Sequence, residues 1–226
     1  GGATGVEYSG ALAELISGPM VKDYPSIDFS EVTITLLEAA QYLVAPMPAN
    51  IRDYTARQLS DMGVHVRLNK AVAEVTPEKA ILKNGETIST HTVVWTAGVR
   101  GEDLPDDSGI PVGRDGRVPV RASLQIVNDD RIYVVGDLAA IKKDQRMLPM
   151  VAQVAIQSGV KAAQNVVRQI AGQAPEPFHY ADRGSMIAIG RKAAGVAIGK
   201  RTFKGFIAWM MWLIIHLFNL IGFRNR

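Results

Sequence analysis

The sequence predicts an α/β protein, and three features of the chain support that fold class. Glycines at the start run into a helical pattern, strand and helix patterns then alternate as far as residue 68, and a later strand pattern ends at a Gly-Asp pair. Alternation of strands and helices is typical of parallel sheets that carry helices on their faces. The 226 residues, 47% of them hydrophobic, are enough for a sizeable core.

The glycines at the start are spaced as in a dinucleotide-binding loop, and we expect Gly1, Gly2, Thr4 and Gly5 to bind the cofactor. The second glycine of such a loop lets the backbone approach a pyrophosphate, and the third lets the helix pack on a strand. The first glycine and the strand before it would precede Gly1. Helical spacing continues to residues 18–19, a Gly-Pro pair at which we expect the helix to end. A flexible glycine-rich end is the alternative.

A buried strand is predicted for residues 32–37, and it ends at Glu38. An acidic residue at this position accepts hydrogen bonds from the adenosine ribose and repels a 2′-phosphate, so Glu38 predicts NADH over NADPH. The interval from the glycines exceeds the usual twenty residues, which the loop over residues 18–30 absorbs. An ordinary solvated glutamate is the alternative.

The next segments continue the alternation of helix and strand. A helix is predicted for residues 49–62 and a strand for residues 64–68. Short strand patterns between residues 72 and 88, with an Asn-Gly turn at residues 84–85, predict a small antiparallel meander.

Two later strands are predicted to end in small residues. Residues 93–95 lead to Ala97 and Gly98, which permit close approach of a ligand or equally form a tight packing turn. Residues 131–135 lead to Gly136 and Asp137, where the aspartate can accept from a ribityl or ribose hydroxyl. A common Gly-Asp turn explains the second pair without a ligand.

A helix predicted for residues 151–170 carries Gln153 and Gln157 on one face, four residues apart. Neutral amides in this position can bond a cofactor carbonyl or a quinone oxygen without adding charge. A solvated helix face is the alternative for these two residues.

Residues 206–221 are almost wholly apolar, but the stretch is too short and interrupted to span a bilayer. It predicts a helix lying in the plane of a membrane surface, with a buried core or oligomer helix as the alternative. The cations that would meet anionic lipid are Lys200, Arg201, Lys204, Arg224 and Arg226.

Composition excludes several kinds of site. The chain has no cysteine, so it contains no disulfide, thiolate metal site or redox dithiol. Its four histidines are scattered without the spacing of metal ligands. The net charge of +3 comes without Lys/Arg blocks, so nucleic acid is not an expected partner. Redox chemistry would therefore require a bound cofactor.

Taken in order, these motifs resemble the type II (non-proton-pumping) NADH:quinone oxidoreductases, within the flavoproteins that have two dinucleotide-binding domains. The resemblance covers essentially the full chain. It rests on Gly2-Ala3-Thr4-Gly5-Val6-Glu7, Leu37-Glu38, Trp95-Thr96-Ala97-Gly98-Val99, Val135-Gly136-Asp137-Leu138, Ala152-Gln153-Val154-Ala155-Ile156-Gln157, Asp182-Arg183-Gly184-Ser185, Ile189-Gly190-Arg191 and the end of the chain.

The resemblance implies two Rossmann-like domains, with an NADH domain inserted into a partial FAD domain, and an amphipathic membrane-associating region. The implied divisions are residues 1–102 for NADH, residues 103–172 for the second half of the FAD domain, and residues 173–226 for membrane association or dimerisation. Glu7 would orient the nicotinamide, and Ala97 and Gly98 would line the NADH channel.

The resemblance also implies the flavin and quinone residues. Gly136 and Asp137 would hold the ribityl-phosphate part of FAD, Ala152 and Gln153 would lie along the isoalloxazine, and Gln153 and Gln157 would border the quinone. The implied protein is a homodimer bound monotopically to the cytoplasmic face of a bacterial inner membrane. Two other functions stay open at this point: a soluble FAD-dependent NAD(P)H reductase of disulfides or ferredoxin, and a non-catalytic nucleotide-binding fragment.

Overall fold

The computed structural model describes residues 1–102 and 108–224, with side chains as far as Phe218. Contacts group the chain into unit 1, formed by Gly1–Ala97 and Gly184–Arg226, and unit 2, formed by Gly98–Arg183. The predicted division at residues 102 and 172 concerns function and stays a prediction. The residues that open its second part, 103–107, lie outside the described residues.

Unit 1 begins with the predicted alternation of helices and strands. Helix α1 (Ala3–Leu15) precedes strand β1 (Ile34–Leu37), and helix α3 (Ala49–Asp61) connects β1 to strand β2 (Val64–Arg67). The two strands pair in parallel, with Ile34 opposite Val64. Their apolar side chains and those of the two helices meet in one core, whose fully buried members include Val6, Leu43, Ile51, Leu59 and Val64.

The first helix does not end at Gly18-Pro19, so that prediction was wrong. The backbone continues as a π-helical turn (Ile16–Met20) and a short helix α2 (Val21–Asp23). Proline has no N–H to donate, and in an α-helix its ring clashes with the carbonyl four residues earlier. A π turn bonds over five residues and is wider, so Pro19 is accommodated without ending the helix.

The predicted meander is confirmed. Strands β3 (Val72–Val75), β4 (Lys79–Leu82) and β5 (Thr87–Ser89) form an antiparallel sheet in the order β3-β4-β5. Gly85, in the predicted turn between β4 and β5, has φ +84, a conformation that glycine adopts without strain.

The prediction of a strand over residues 93–95 was wrong. These residues have no ladder partner in the described part of the chain, and Trp95 is 62% exposed. In a doubly wound sheet of order 3-2-1-4, the fourth strand pairs with the strand that leads into the glycine loop. Among the described residues, no strand lies beside residues 93–95 to pair with them.

The C-terminal part of unit 1 contains a sheet that the sequence patterns do not predict. Strands β10 (Ser185–Gly190), β11 (Ala193–Ile198) and β12 (Arg201–Gly205) pair antiparallel in that order. Ile187 and Ile189 of β10 are buried in the same core as α1. The sheet therefore completes the unit that begins at the other end of the chain.

Unit 2 is built around helix α4 (Ala152–Ile170). Its strands are two residues long each: β6 (Val118–Pro119) with β7 (Ala139–Ala140), and β8 (Lys142–Lys143) with β9 (Arg146–Met147). The fold as a whole is mixed α/β, as predicted, while the assignment of two Rossmann-like domains stays a proposal.

The predicted strand over residues 131–135 is wrong as a regular element. Within the described residues, the one β-bridge of this segment joins Tyr133 to Gln125. The chain pairs locally with the turn before it, since Val134 N–H donates to Leu124 O at 3.0 Å. A local pairing of this kind leaves no run of ladder bonds for a regular strand.

Candidate functional site

The glycine loop lies at the N-terminus of α1. Gly2 is the N-cap, with extended backbone and no side-chain hydrogen bond to the first turn. The first N–H groups of a helix have no intrahelical partner, and the helix dipole favours anions there. A Cβ placed on Gly2 would have no neighbour within 4 Å, and Thr4 is exposed one residue into the helix. The helix end is therefore open to a phosphate group.

Gly5 lies on the opposite, packed side of the same helix end. A Cβ on this residue would lie 2.8 Å from Thr96 Oγ1 and 3.5 Å from Leu36 Cδ1. This close packing of helix on strand is the physical demand made on the third glycine of the loop. Ala97, which follows Thr96, is the last residue of the first part of unit 1. Gly98 is the first residue of unit 2 and has φ +83.

Glu38 directly follows β1 and lies beside the glycine loop. Its Oε1 accepts from the Ala40 N–H at 2.7 Å, and its Oε2 lies 3.0 Å from the backbone nitrogen of Gly1. Partial burial raises the pKa of Glu38, and the hydrogen bond from the Ala40 N–H lowers it. A carboxyl acceptor with one oxygen fixed by Ala40 therefore lies next to the open end of α1.

Glu7 faces β10 from the second turn of α1. Its Oε1 accepts from the Ala188 N–H at 3.1 Å, and Ala188 belongs to an edge strand whose outward N–H groups need acceptors. Burial raises the pKa of Glu7, against the lowering effects of the Ala188 hydrogen bond and of His216. The carboxyl therefore takes up a proton more readily than an exposed glutamate. Its role at the nicotinamide stays a prediction.

Gly136 and Asp137 form a tight 3-10 turn against α4. Gly136 has φ +64, its N–H donates to Ser158 Oγ at 3.1 Å, and a Cβ on it would lie 3.3 Å from the Ala155 Cβ. The half-exposed Asp137 carboxylate has no hydrogen-bond or ion-pair partner among residues 1–102 and 108–224. The turn thus brings backbone close to α4 and leaves an acceptor available.

The N-terminal part of α4 carries the remaining predicted residues. The helix begins at Ala152, and no side chain caps it from Val151. Gln153 Oε1 accepts from the Arg183 N–H at 3.2 Å. Gln157 makes two bonds to Ala181, accepting from its N–H and donating to its carbonyl, each at 3.0 Å. Both glutamine side chains therefore bond the backbone of the segment that follows the helix.

A groove of about 400 Å³ lies beside these glutamines. Ile156 and Val160 of α4 line one side, and Phe178 and Arg183 line the other. Apolar walls with a few polar groups are usual in sites for small organic ligands.

Helix α5 (Phe206–Arg224) is the predicted C-terminal helix. Ala208 is completely buried in a small cluster with Ala194 and Val196 of β11. None of the helices in the described residues is apolar over enough length to cross a bilayer. Arg226 lies outside the described residues, as does the side chain of Arg224. The exposed large apolar side chains of this helix are Phe206, Ile207, Ile214, Ile215, Leu217 and Phe218.

The chain is similar along its length to curated type II NADH:quinone oxidoreductases. It is 36% identical over 236 aligned positions to the Ndh enzyme of Mycobacterium tuberculosis, covering all of this chain and 50% of the relative. It is 32% identical to the enzyme of Haemophilus influenzae, covering 84% of this chain and 43% of the relative. The chain thus spans about half the length of the curated relatives it matches, and these relatives confirm the resemblance seen in the motifs.

Solved structures show the same fold. NDH2 from Plasmodium falciparum, solved in complex with NADH, matches 95% of this chain and 60% of its own with a TM-score of 0.84 at 17% identity. The sulfide:quinone oxidoreductase of Aquifex aeolicus matches 96% of this chain and 55% of its own with a TM-score of 0.72 at 16% identity. The family model described as pyridine nucleotide-disulphide oxidoreductase matches residues 1–159, and the chain therefore belongs to that family.

Proposed function

We propose that this chain supplies the NADH site and part of the flavin site of a type II NADH:quinone oxidoreductase. The observation that carries the proposal is the arrangement at the end of α1, where an open helix N-terminus adjoins the Glu38 carboxyl. A pyrophosphate and an adenosine ribose need these two features side by side. The names of the curated relatives support the same activity.

In this proposal the first turn of α1 binds the pyrophosphate of NADH. Gly2 leaves room for it, and the unpaired N–H groups of the first turn donate to it. Glu38 accepts from the ribose hydroxyls, and Glu7 orients the nicotinamide from the next turn of the helix. Glu7 is suited to this because its hydrogen bond to Ala188 fixes the carboxyl in one place.

Residues of unit 2 would hold FAD, which when bound accepts a hydride from NADH and passes electrons to the quinone. The fit rests on three observations: the positive φ of Gly136, the available Asp137 carboxylate, and the uncapped N-terminus of α4 at Ala152. Asp137 can accept from a ribityl hydroxyl. The first amides of α4 can donate to electronegative atoms of the flavin.

The quinone would enter the groove beside Gln153. Its apolar side, formed by Ile156 and Val160, suits an isoprenoid quinone, while polar groups at the same wall suit its oxygens. The exposed apolar side chains of α5, with the cations Lys200 and Arg201 nearby in sequence, suit a monotopic position on an anionic membrane surface. We also propose that the protein is a homodimer on the cytoplasmic face of a bacterial inner membrane.

Quinone-dependent oxidation of NADH by the purified full-length protein tests the activity. We expect NADH consumption to require both bound FAD and an added quinone, and the protein to sediment with vesicles that contain anionic lipid. A flavin-loaded protein that oxidises NADH only with a disulfide or ferredoxin acceptor would contradict the proposal and favour a soluble reductase.

Replacing Gly136 with alanine tests the flavin site. The substitution places a Cβ at φ +64 and 3.3 Å from Ala155, which costs about 1 to 2 kcal/mol of strain. We expect the purified full-length variant to lose most of its FAD on desalting, measured as flavin absorbance per protein.

Gly172→Ala is the matched control, because Gly172 also has positive φ, at +72, but no neighbour within 4 Å of its Cβ position. It follows α4 at the end remote from the flavin residues. This variant is expected to be destabilised to a similar degree and to retain FAD. Equal flavin loss in both variants would show that strain alone, rather than a flavin contact, explains the effect at Gly136.

A further inference from the structure

The chain that follows α4 runs back along the helix without regular secondary structure, over residues 173–183, here called the return segment. Side chains of α4 bond it on successive turns. At the C-terminal end of the helix, Arg168 Nε donates to Ala174 O at 2.9 Å, and Asn165 both donates to and accepts from the Glu176 backbone at 2.9 Å. In the middle, Lys161 donates to the Glu176 carboxylate at 2.6 Å. At the N-terminal end, Gln157 both donates to and accepts from the Ala181 backbone at 3.0 Å, and Gln153 accepts from the Arg183 N–H at 3.2 Å.

The bonding residues lie at positions 153, 157, 161, 165 and 168, which form one face of a helix. Their partners follow in reverse order along the return segment, so the segment is antiparallel to α4. Gln153 and Gln157 are therefore the last two members of a row of five α4 side chains, all of which bond the return segment. The row explains their four-residue spacing without any ligand.

Gln157, like Asn165, bonds both backbone groups of one residue of the return segment. A glutamine side chain offers a carbonyl and an amide, the same pair of groups as a peptide. Here it pairs with both backbone groups of Ala181, much as a neighbouring strand would. Two residues later, Arg183 bonds to Gln153 and lines the groove together with Phe178, also from the return segment.

We propose that Gln157 is a positioning residue: it holds residues 181–183 against α4 and so fixes the wall of the groove that faces Ile156 and Val160. The groove keeps its width because the row of bonds holds the return segment at a constant distance from the helix. This inference rests on the proposed function, because it takes the groove to be the quinone site.

Gln157→Met in the full-length protein tests the inference, since methionine keeps the length of the side chain and removes both bonds. Hydrogen exchange resolved to single amides should show the Arg183 N–H exchanging about tenfold faster, although its own acceptor, Gln153, is unchanged. The KM for quinone should rise by a similar factor, while NADH oxidation with ferricyanide stays constant. Ala181→Pro removes one of the two bonds, the N–H that donates to Gln157, and should also raise the KM, while the double variant should not exceed Gln157→Met.

Gln164→Met is the matched control, because Gln164 belongs to the same helix and lines the same groove, and it has no hydrogen-bond partner among the described residues. Exchange at Arg183 should be unchanged in this variant. If Gln157→Met raises the quinone KM but leaves exchange at Arg183 unchanged, Gln157 is a direct quinone ligand and the inference is wrong. If the wild-type protein does not reduce quinone, the proposed function fails, and exchange at Arg183 alone then decides whether Gln157 holds the segment.

Discussion

Gly10→Ala is expected to lower the free energy of unfolding by about 3 kcal/mol, which is the upper end of the usual range for overpacking. A Cβ on Gly10 would lie 1.6 Å from Ile189 O and 2.8 Å from Ile189 C. These are backbone atoms of β10, so no side-chain rotation relieves the clash. Helix α1 and β10 must separate, which disturbs the core around Val6 and the hydrogen bond from Ala188 to Glu7.

Chemical denaturation of the full-length protein measures this effect, and Gly159→Ala provides the control. Gly159 is also helical, within α4, but its Cβ position has no neighbour within 4 Å. Alanine there should raise the free energy of unfolding by up to about 1 kcal/mol, because glycine is the poorer helix former. If both variants unfold at the wild-type midpoint, α1 does not approach β10 as closely as described.

Glu38→Gln is expected to lower the preference for NADH over NADPH, as a ratio of kcat/KM values, on the order of tenfold to a hundredfold. Hydrogen bonds to a charged group contribute about 1.5 to 3 kcal/mol, and removing the charge also removes its repulsion of a 2′-phosphate. The glutamine oxygen can still accept from the Ala40 N–H, so the local structure is kept. The change should therefore appear in coenzyme selectivity and not in stability.

Steady-state kinetics of the full-length enzyme with each coenzyme provides the measurement. Glu31→Gln is the charge-matched control, since Glu31 is exposed in the turn before β1. It should leave the ratio within about twofold of wild type. An unchanged ratio for Glu38→Gln would show that Glu38 does not bind the ribose.

Most of the first part of unit 1 could be predicted because β1, α3, β2 and the meander each carry a local signal. Apolar spacing, the glycine after α3 and the Asn-Gly turn all act within a few residues of the structure they specify. The sheet of β10 to β12 was missed because β11 is rich in alanine and glycine and β12 has Phe203 as its one large apolar residue. Residues 93–95 show the reverse error, since a strand pattern forms no strand without a partner.

The residues of the candidate site also differ in whether the sequence alone could identify them. Gly2, Gly5 and Glu38 belong to a motif of fixed spacing, so the sequence alone could identify them. The partner of Glu7 is Ala188, 181 residues away in the chain, and nothing near either residue indicates the contact. Gly10 did carry a signal, because a glycine inside a helix needs a reason such as close packing.

The discontinuity of unit 1 has a consequence for how the chain is made. At roughly 5 to 20 residues per second, synthesis of the segment 98–183 takes about 4 to 17 s. Throughout that time the apolar face of α1, with Val6 and Ala13, is not covered by β10, because β10 has not yet left the ribosome. The nascent chain therefore exposes a core surface for seconds, and we expect that surface to be where chaperones engage it and where mispairing between chains begins.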